Sequence, residues 1–264
     1  MLSYPSGMAV SSRALNLLSA AIRRLRREMG SRWRILDSGR QALLVLAHLR
    51  KGETYADLAC GFGIGIRTVY RYLREGIDLL AAMAPTLEQA IEVAQGKAFV
   101  ILDGSLLRID RVMMASKRDR PFYSGKWKAH GVNVQVITDP AGRLIWVSPA
   151  LPGSVHDIKA ARHHEILAEL AKAKVMAFAD TAYQGSPENV RTPLRSRRQD
   201  PATRKMKPLS AGQKAANTAH ARIRAIGERA NSQLKNWRVL RKIRSSPHHA
   251  TSLVNAIQTL ILAG

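Results

Sequence analysis

Asp103 ends the apolar run Ala98-Phe99-Val100-Ile101-Leu102, and Asp180 ends Lys174-Val175-Met176-Ala177-Phe178-Ala179. A small or turn-forming pair follows each, Gly104-Ser105 and Thr181-Ala182. Short apolar runs bounded by such residues suit buried strands, and adjacent strands would bring the two carboxylates together. Two like charges so close cannot both stay ionised cheaply unless a cation lies between them. Hard oxygen ligands suit Mg2+ or Mn2+, which keep several waters and bind substrate phosphate directly. A third carboxylate would complete a two-metal site for in-line displacement at phosphorus. Glu228 is the candidate, because no other acid follows Asp200. Each residue alone has a plainer reading: a turn-forming or capping aspartate, or a helical glutamate paired with Arg224. Taken as an ordered set on strand, strand and helix, they favour metal-assisted chemistry.

The charge points the same way. The 264 residues carry 42 Lys+Arg against 19 Asp+Glu, a formal charge of +23. Such an excess repels itself unless a polyanion is near, so nucleic acid or an acidic membrane surface is the expected partner. Residues 1–95 hold 13 basic and 8 acidic side chains, whereas 96–264 hold 29 and 11. The excess therefore sits around the carboxylates. Cys60 is the only cysteine, which excludes an internal disulfide and any zinc site built on several cysteines. No apolar run is long enough to span a membrane, and the start has no secretion pattern. The expected setting is reducing and cytoplasmic, on DNA, away from any membrane.

The elements that must position these residues fall into two parts. Up to residue 95 the chain reads as helical: Leu15, Leu18, Ile22 and Leu25 recur at helical steps, a second helix covers about Gln41–Leu49, and a short one Leu87–Ala94. Residues 54–74 have helix-turn-helix spacing. Ala56, Leu58 and Ala59 would pack the first helix, Gly61–Gly63 would turn, Ile64 would plug the corner, and Val69 and Leu73 would anchor the second. Arg67, Thr68 and Arg71 then face outward at the start of a helix that could enter a major groove. An ordinary helical hairpin with solvated arginines would share this pattern; the basic context favours the DNA reading.

From residue 96 the period changes. Val132, Val134 and Val136 alternate with Asn133 and Gln135, the mark of a strand with one buried face. Asp139-Pro140-Ala141-Gly142 reads as a turn into the returning strand 143–147. Ser154–Leu170 reads as one helix, with Asp157 suited to capping its first turn. Residues 185–209 read as irregular, 210–237 as a long helix and 249–263 as a last one. Tyr123, Lys126, Trp127, Lys128 and His130 interleave aromatic and basic groups, which suits DNA contact, or a strand that buries Trp127.

Several of these segments occur together in a known order. Asp103-Gly104-Ser105, Tyr123-Ser124-Gly125-Lys126, His130–Val136, Pro152–Asp157, Ala179–Tyr183 and Arg224–Glu228 resemble the motifs of DDE transposases of the insertion-sequence-five and Harbinger-like group, over about residues 98–245. The resemblance implies an α/β fold: a ribonuclease H-like mixed sheet flanked by helices in residues 96–264, preceded by a small all-α helix-turn-helix domain in residues 1–95. It implies two divalent metal ions (Mg2+ or Mn2+), cleavage of double-stranded DNA at element ends, and strand transfer into target DNA by a homodimer or higher oligomer. Asp103, Asp180 and Glu228 become the catalytic, metal-binding triad. Arg224 and Lys235 match two positions of the related Tyr-Arg-Glu-Lys signature, while its tyrosine position holds Ala221. Residues 224, 228 and 235 share one helix face, so Arg224 and Lys235 could grip phosphate, as could Lys126 and Lys128. His156 and Asp157 are expected to support the ligands from behind. The alternatives are a DNA-binding regulator descended from a decayed or domesticated transposase, and an endonuclease of the same fold without strand transfer.

Overall fold

A computed structural model of the protein describes residues 10–31, 33–110, 117–196, 204, 206–244 and 249–264. The start of the chain (1–9) and part of the irregular stretch 185–209 (197–203 and 205) lie outside the described residues. Five helices come first: α1 (Ser12–Glu28), α2 (Ser38–Lys51), α3 (Tyr55–Phe62), α4 (Ile66–Ala81) and α5 (Leu87–Gln95). The side chains of Ser11, Asp37, Thr54 and Thr86 each accept a hydrogen bond from a backbone N–H in the first turn, and so start α1, α2, α3 and α5. Gly52 and Gly63 end α2 and α3 in the left-handed conformation (φ 70° and 65°), which glycine adopts without steric cost.

The strands are β1 (Val100–Arg108), β2 (Tyr123–Ser124), β3 (Ala129–Thr138), β4 (Leu144–Val147), β5 (Leu151–Pro152), β6 (Ala177–Ala179) and β7 (Val190–Arg191). They form one mixed sheet in the order β2-β3-β1-β6-β7, with β4 and β5 also pairing β3. β1 runs antiparallel to β3 and parallel to β6, and β6 is parallel to β7. The remaining helices are α6 (Asp157–His163), α7 (Ile166–Lys172), α8 (Ala211–Lys235) and α9 (Ala250–Ala263). The result is the expected α/β architecture: a mixed sheet flanked by helices, preceded by a helical region. Among the described residues no helix is long and apolar enough to cross a membrane.

Four local expectations need correction. β1 does not stop at Asp103 but continues through the Gly104-Ser105 pair to Arg108, because eight consecutive positions pair with β3. β3 is buried on both faces: Asn133 and Gln135 are as inaccessible as the valines, since helices cover both sides of this central strand. The single helix expected over 154–170 is two, broken where Glu165 takes a left-handed φ of 59°. In the helix-turn-helix, Ala56 is exposed, and Gly61 lies inside α3 so that the turn is Gly63–Gly65.

One sheet face packs Val100 and Leu102 of β1 against Ile91 of α5, Leu167 and Leu170 of α7, and Tyr183. The other cluster joins Val132, Val134 and Val136 to α8, to α9 and to the buried faces of α1, α2 and α4. The helical region is thus fixed to the sheet through α9. Gln258 of α9 accepts from the Val147 N–H of β4 at 3.0 Å, and Thr259 donates to the Leu80 carbonyl of α4 at 2.9 Å.

α8 approaches β1 closely at Gly227, where an added Cβ would stand 2.8 Å from Ile101 Cγ2. Ile101 is fully buried, so a larger side chain at 227 must displace packed neighbours. Gly227→Val is therefore expected to destabilise the protein by about 1–3 kcal/mol through overpacking, read as a lower thermal midpoint.

Candidate active site

Asp103 and Asp180 lie side by side because β1 and β6 are parallel neighbours in the register Leu102↔Ala179. Asp180 follows β6 and starts a short 3-10 turn, accepting from the Ala182 N–H at 2.7 Å. A third carboxylate joins them. Asp157, at the start of α6, is 8% exposed and packs on Gly104, where an added Cβ would fall 2.3 Å from its Oδ1. The capping expectation for Asp157 is thereby corrected: the cap residue of α6 is His156, with no side-chain cap hydrogen bond. Asp157 instead accepts from Asn133 Nδ2 at 2.8 Å and from Lys126 Nζ at 3.1 Å.

Asn133 belongs to a buried polar chain. Its Oδ1 accepts from Gln135 Nε2 at 2.9 Å, and Gln135 Oε1 accepts from the Tyr183 hydroxyl. Burial, with the aspartates adding to it, holds the Tyr183 hydroxyl well above its ordinary pKa, so it stays a donor. Buried polar groups joined in this way fix one another's orientation. Asp157 is therefore held from behind while its second oxygen faces the other aspartates' cation partner.

Two cations offset the three carboxylates. Lys126 Nζ is 3.1 Å from Asp157 Oδ2 and 3.8 Å from Asp180 Oδ2. Arg224 of α8 reaches Asp103 Oδ1 at 3.5 Å, and Asn231, seven residues on, donates to Asp103 Oδ2 at 2.9 Å. Lys126 and Arg224, expected at DNA phosphate, are thus engaged with the carboxylates. Glu228 lies between Arg224 and Asn231 along α8, is exposed, and makes no hydrogen bond or ion pair with the cluster among those described. Among the described residues no three His, Cys, Asp or Glu side chains are arranged to hold a metal as they stand.

The chemistry of the donors, as distinct from their arrangement, suits a hard cation. Three carboxylates converge, a lysine ammonium lies between two of them, and the buried Asn231 Oδ1 beside Asp103 has no hydrogen-bond partner. Oxygen donors of this kind are the ligand type that Mg2+ and Mn2+ take.

Burial pushes the Asp103 carboxyl above its usual range; Arg224 opposes that shift, while Asp180 and Asp157 add to it. A carboxyl raised in this way holds its proton more tightly folded than unfolded. Its contribution favours the folded state in acid and is lost as pH rises from the ordinary value of about 3.9 through the raised one. In metal-free protein Asp103→Asn is therefore expected to raise the thermal midpoint by a few degrees at pH 7. The gain should fade towards pH 3, as a melting series across pH would record.

The helix-turn-helix has the expected corner: Leu58, Ile64, Val69 and Leu73 are buried. Arg67 and Arg71 are exposed at the start of α4, with Thr68 half-buried. Trp127 is 51% exposed rather than in the core, and Lys126 lies over its ring at 5.5 Å. Lys128, with φ 49°, and Lys235 are both exposed and make no hydrogen bond or ion pair with the aspartates among those described.

Residues 102–261 match the family model of the DDE superfamily endonuclease. The chain belongs to that family. Residues 34–86 match the helix-turn-helix of DDE superfamily endonuclease, which covers α2 to α4. No curated protein and no solved structure matches. The endonuclease is thus a DNA-binding nuclease of a superfamily that generally uses divalent metal ions. Sequence reasoning missed Asn133, Gln135, Tyr183 and Asn231 in the DDE endonuclease. The polar alternation along β3 was the available signal for the first two, and the seven-residue step from Arg224 for the last.

Proposed function

We propose that the chain is a transposase of the insertion-sequence-five or Harbinger-like group, cutting DNA at element ends and joining the freed 3′-OH to target DNA. The observation that carries this reading is a helix-turn-helix directly upstream of a sheet whose parallel neighbours β1 and β6 bring the half-buried Asp103 and Asp180 together. Residues 1–95 are then the DNA-reading unit and 96–264 the ribonuclease H-like catalytic unit, acting in the cytoplasm on double-stranded DNA.

Asp103, Asp180 and Glu228 would hold two divalent ions, Mg2+ or Mn2+. When bound, such ions lower the pKa of an attacking water and stabilise the leaving 3′-oxygen. The chain's residues do the remaining work. Asp157, held by Asn133, positions Lys126 beside Asp180. His156 starts the helix that carries Asp157. Arg224 offsets charge at Asp103 and, with Lys235, lines the face of α8 that would meet phosphate. Lys126 and Lys128, next to the exposed Trp127, suit backbone contact and stacking. Arg67, Thr68 and Arg71 suit the major groove. Two ends must be paired, so a homodimer or larger assembly on DNA is expected.

Strand transfer distinguishes this from a plain endonuclease. A labelled element end with a free 3′-OH, incubated with the protein, Mg2+ and a target plasmid, should become joined to the plasmid. Cutting at the ends without any joined product would leave an endonuclease. Binding without cutting would leave a regulator, the reading that the exposed position of Glu228 favours.

A further inference from the structure

A cavity of about 520 Å³ opens where the helix-turn-helix meets the C-terminal segment, and none of the three aspartates lines it. The end of α2, the start of α3, one side of α4, the turn Arg238–Leu240 and the start of α9 form its walls. Its floor is aromatic and aliphatic, with Tyr55, Ile77 and Leu253, and the exposed Tyr70 stands at its edge. The Tyr55 ring lies 5.5 Å from that of His48 and 6.1 Å from that of Tyr70, both tilted. Burial lowers the pKa of His48, whose Nδ1 is 2.8 Å from the Glu53 carbonyl, which favours a neutral ring beside Tyr55.

The rim has the opposite character. Arg74, Arg238, Arg241, Lys242 and Arg244 surround the mouth, against Glu53 and Asp78. Arg74 donates to the Tyr70 hydroxyl at 3.3 Å and stands 3.8 Å from Asp78, and Lys242 pairs with Asp110. Arg238, Arg241 and Arg244 are exposed, and the Lys235 carbonyl fixes Arg241 through its Nε at 2.8 Å. An aromatic floor offers a stacking face to a base, while a guanidinium rim offers donors to phosphate. The volume is more than one nucleotide needs. A paired base in a duplex cannot present its face to such a floor. Arg67, Tyr70, Arg71 and Arg74 share one side of α4, so DNA lying along that helix passes the mouth.

We propose that this cavity takes a single unpaired nucleotide of the DNA bound along α4, its base on Tyr55 and Tyr70 and its phosphate on Arg238 and Arg241. The proposal rests on the helix-turn-helix as a DNA-binding element. The test uses the full chain and two duplexes, one fully paired and one with a single bulged 2-aminopurine. The bulged duplex should bind about tenfold more tightly, with the probe's fluorescence quenched by stacking. Tyr70→Ala and Arg241→Ala, both at exposed positions, should each remove that preference, and Tyr70→Phe should keep it. Arg67→Ala should weaken both duplexes alike. Equal affinity for the two duplexes, or a preference that survives Tyr70→Ala, would overturn the proposal alone. Quenching of the free 2-aminopurine nucleotide as strong as that of the bulge would assign the cavity to free nucleotides and overturn it too. Failure to bind either duplex would overturn the helix-turn-helix reading along with it.

Discussion

Asp180→Ala is expected to slow metal-dependent DNA cleavage by at least about 10³-fold, roughly 4 kcal/mol of transition-state stabilisation. DNA affinity should change little, because binding draws on the basic surface and the helix-turn-helix rather than on one half-buried carboxylate. Asp103→Ala should behave in the same way, since the adjacent parallel strands β1 and β6 bring both side chains to the metal site proposed above. The two losses should not add: once either ligand is gone, the site that both build is gone. Single-turnover cleavage of a labelled duplex, with binding measured in parallel, reads both quantities. A loss of binding as large as the loss of cleavage would mean that the aspartates hold the fold or the DNA instead of the reaction.

The second large effect concerns α8. Glu228→Ala should lower cleavage by about 10²–10³-fold, while Asn231→Ala should cost about tenfold, the scale for a group that orients a ligand. The contrast is informative because Asn231, not Glu228, is the residue hydrogen-bonded to Asp103. Arg224 and Asn231 both reach Asp103 from positions either side of Glu228, so α8 already presents the right side to the carboxylates. A loss confined to Asn231→Ala, with Glu228→Ala near wild type, would hand the third position to the asparagine. Metal titration of the two variants, followed by calorimetry, checks the same assignment without turnover.

Much of this site is legible in the sequence because its two central aspartates end or interrupt apolar runs, and burial of those runs decides where the carboxylates stand. The hairpin at Asp139–Gly142 is likewise local chemistry, visible in four residues. What is not legible depends on partners distant in the chain. Gly104-Ser105 reads as a turn, yet pairing with β3 carries the strand on to Arg108. Asp157 reads as a cap, yet Gly104 leaves room for its carboxylate to face the site, and Asn133 holds it there. Asn133 and Gln135 read as the wet face of a strand, yet they become a buried chain ending on Tyr183. The burial of one polar face against another cannot be inferred from alternation alone.

The central claim is metal-dependent cleavage by the carboxylate cluster. The most direct measurement is conversion of a supercoiled plasmid carrying the element's flanking ends to nicked or linear form, by wild-type protein with Mg2+ and with chelator. Cutting at those ends is expected only with Mg2+. Equal cutting in chelator, or tight binding to the ends with no cutting in Mg2+, would contradict it.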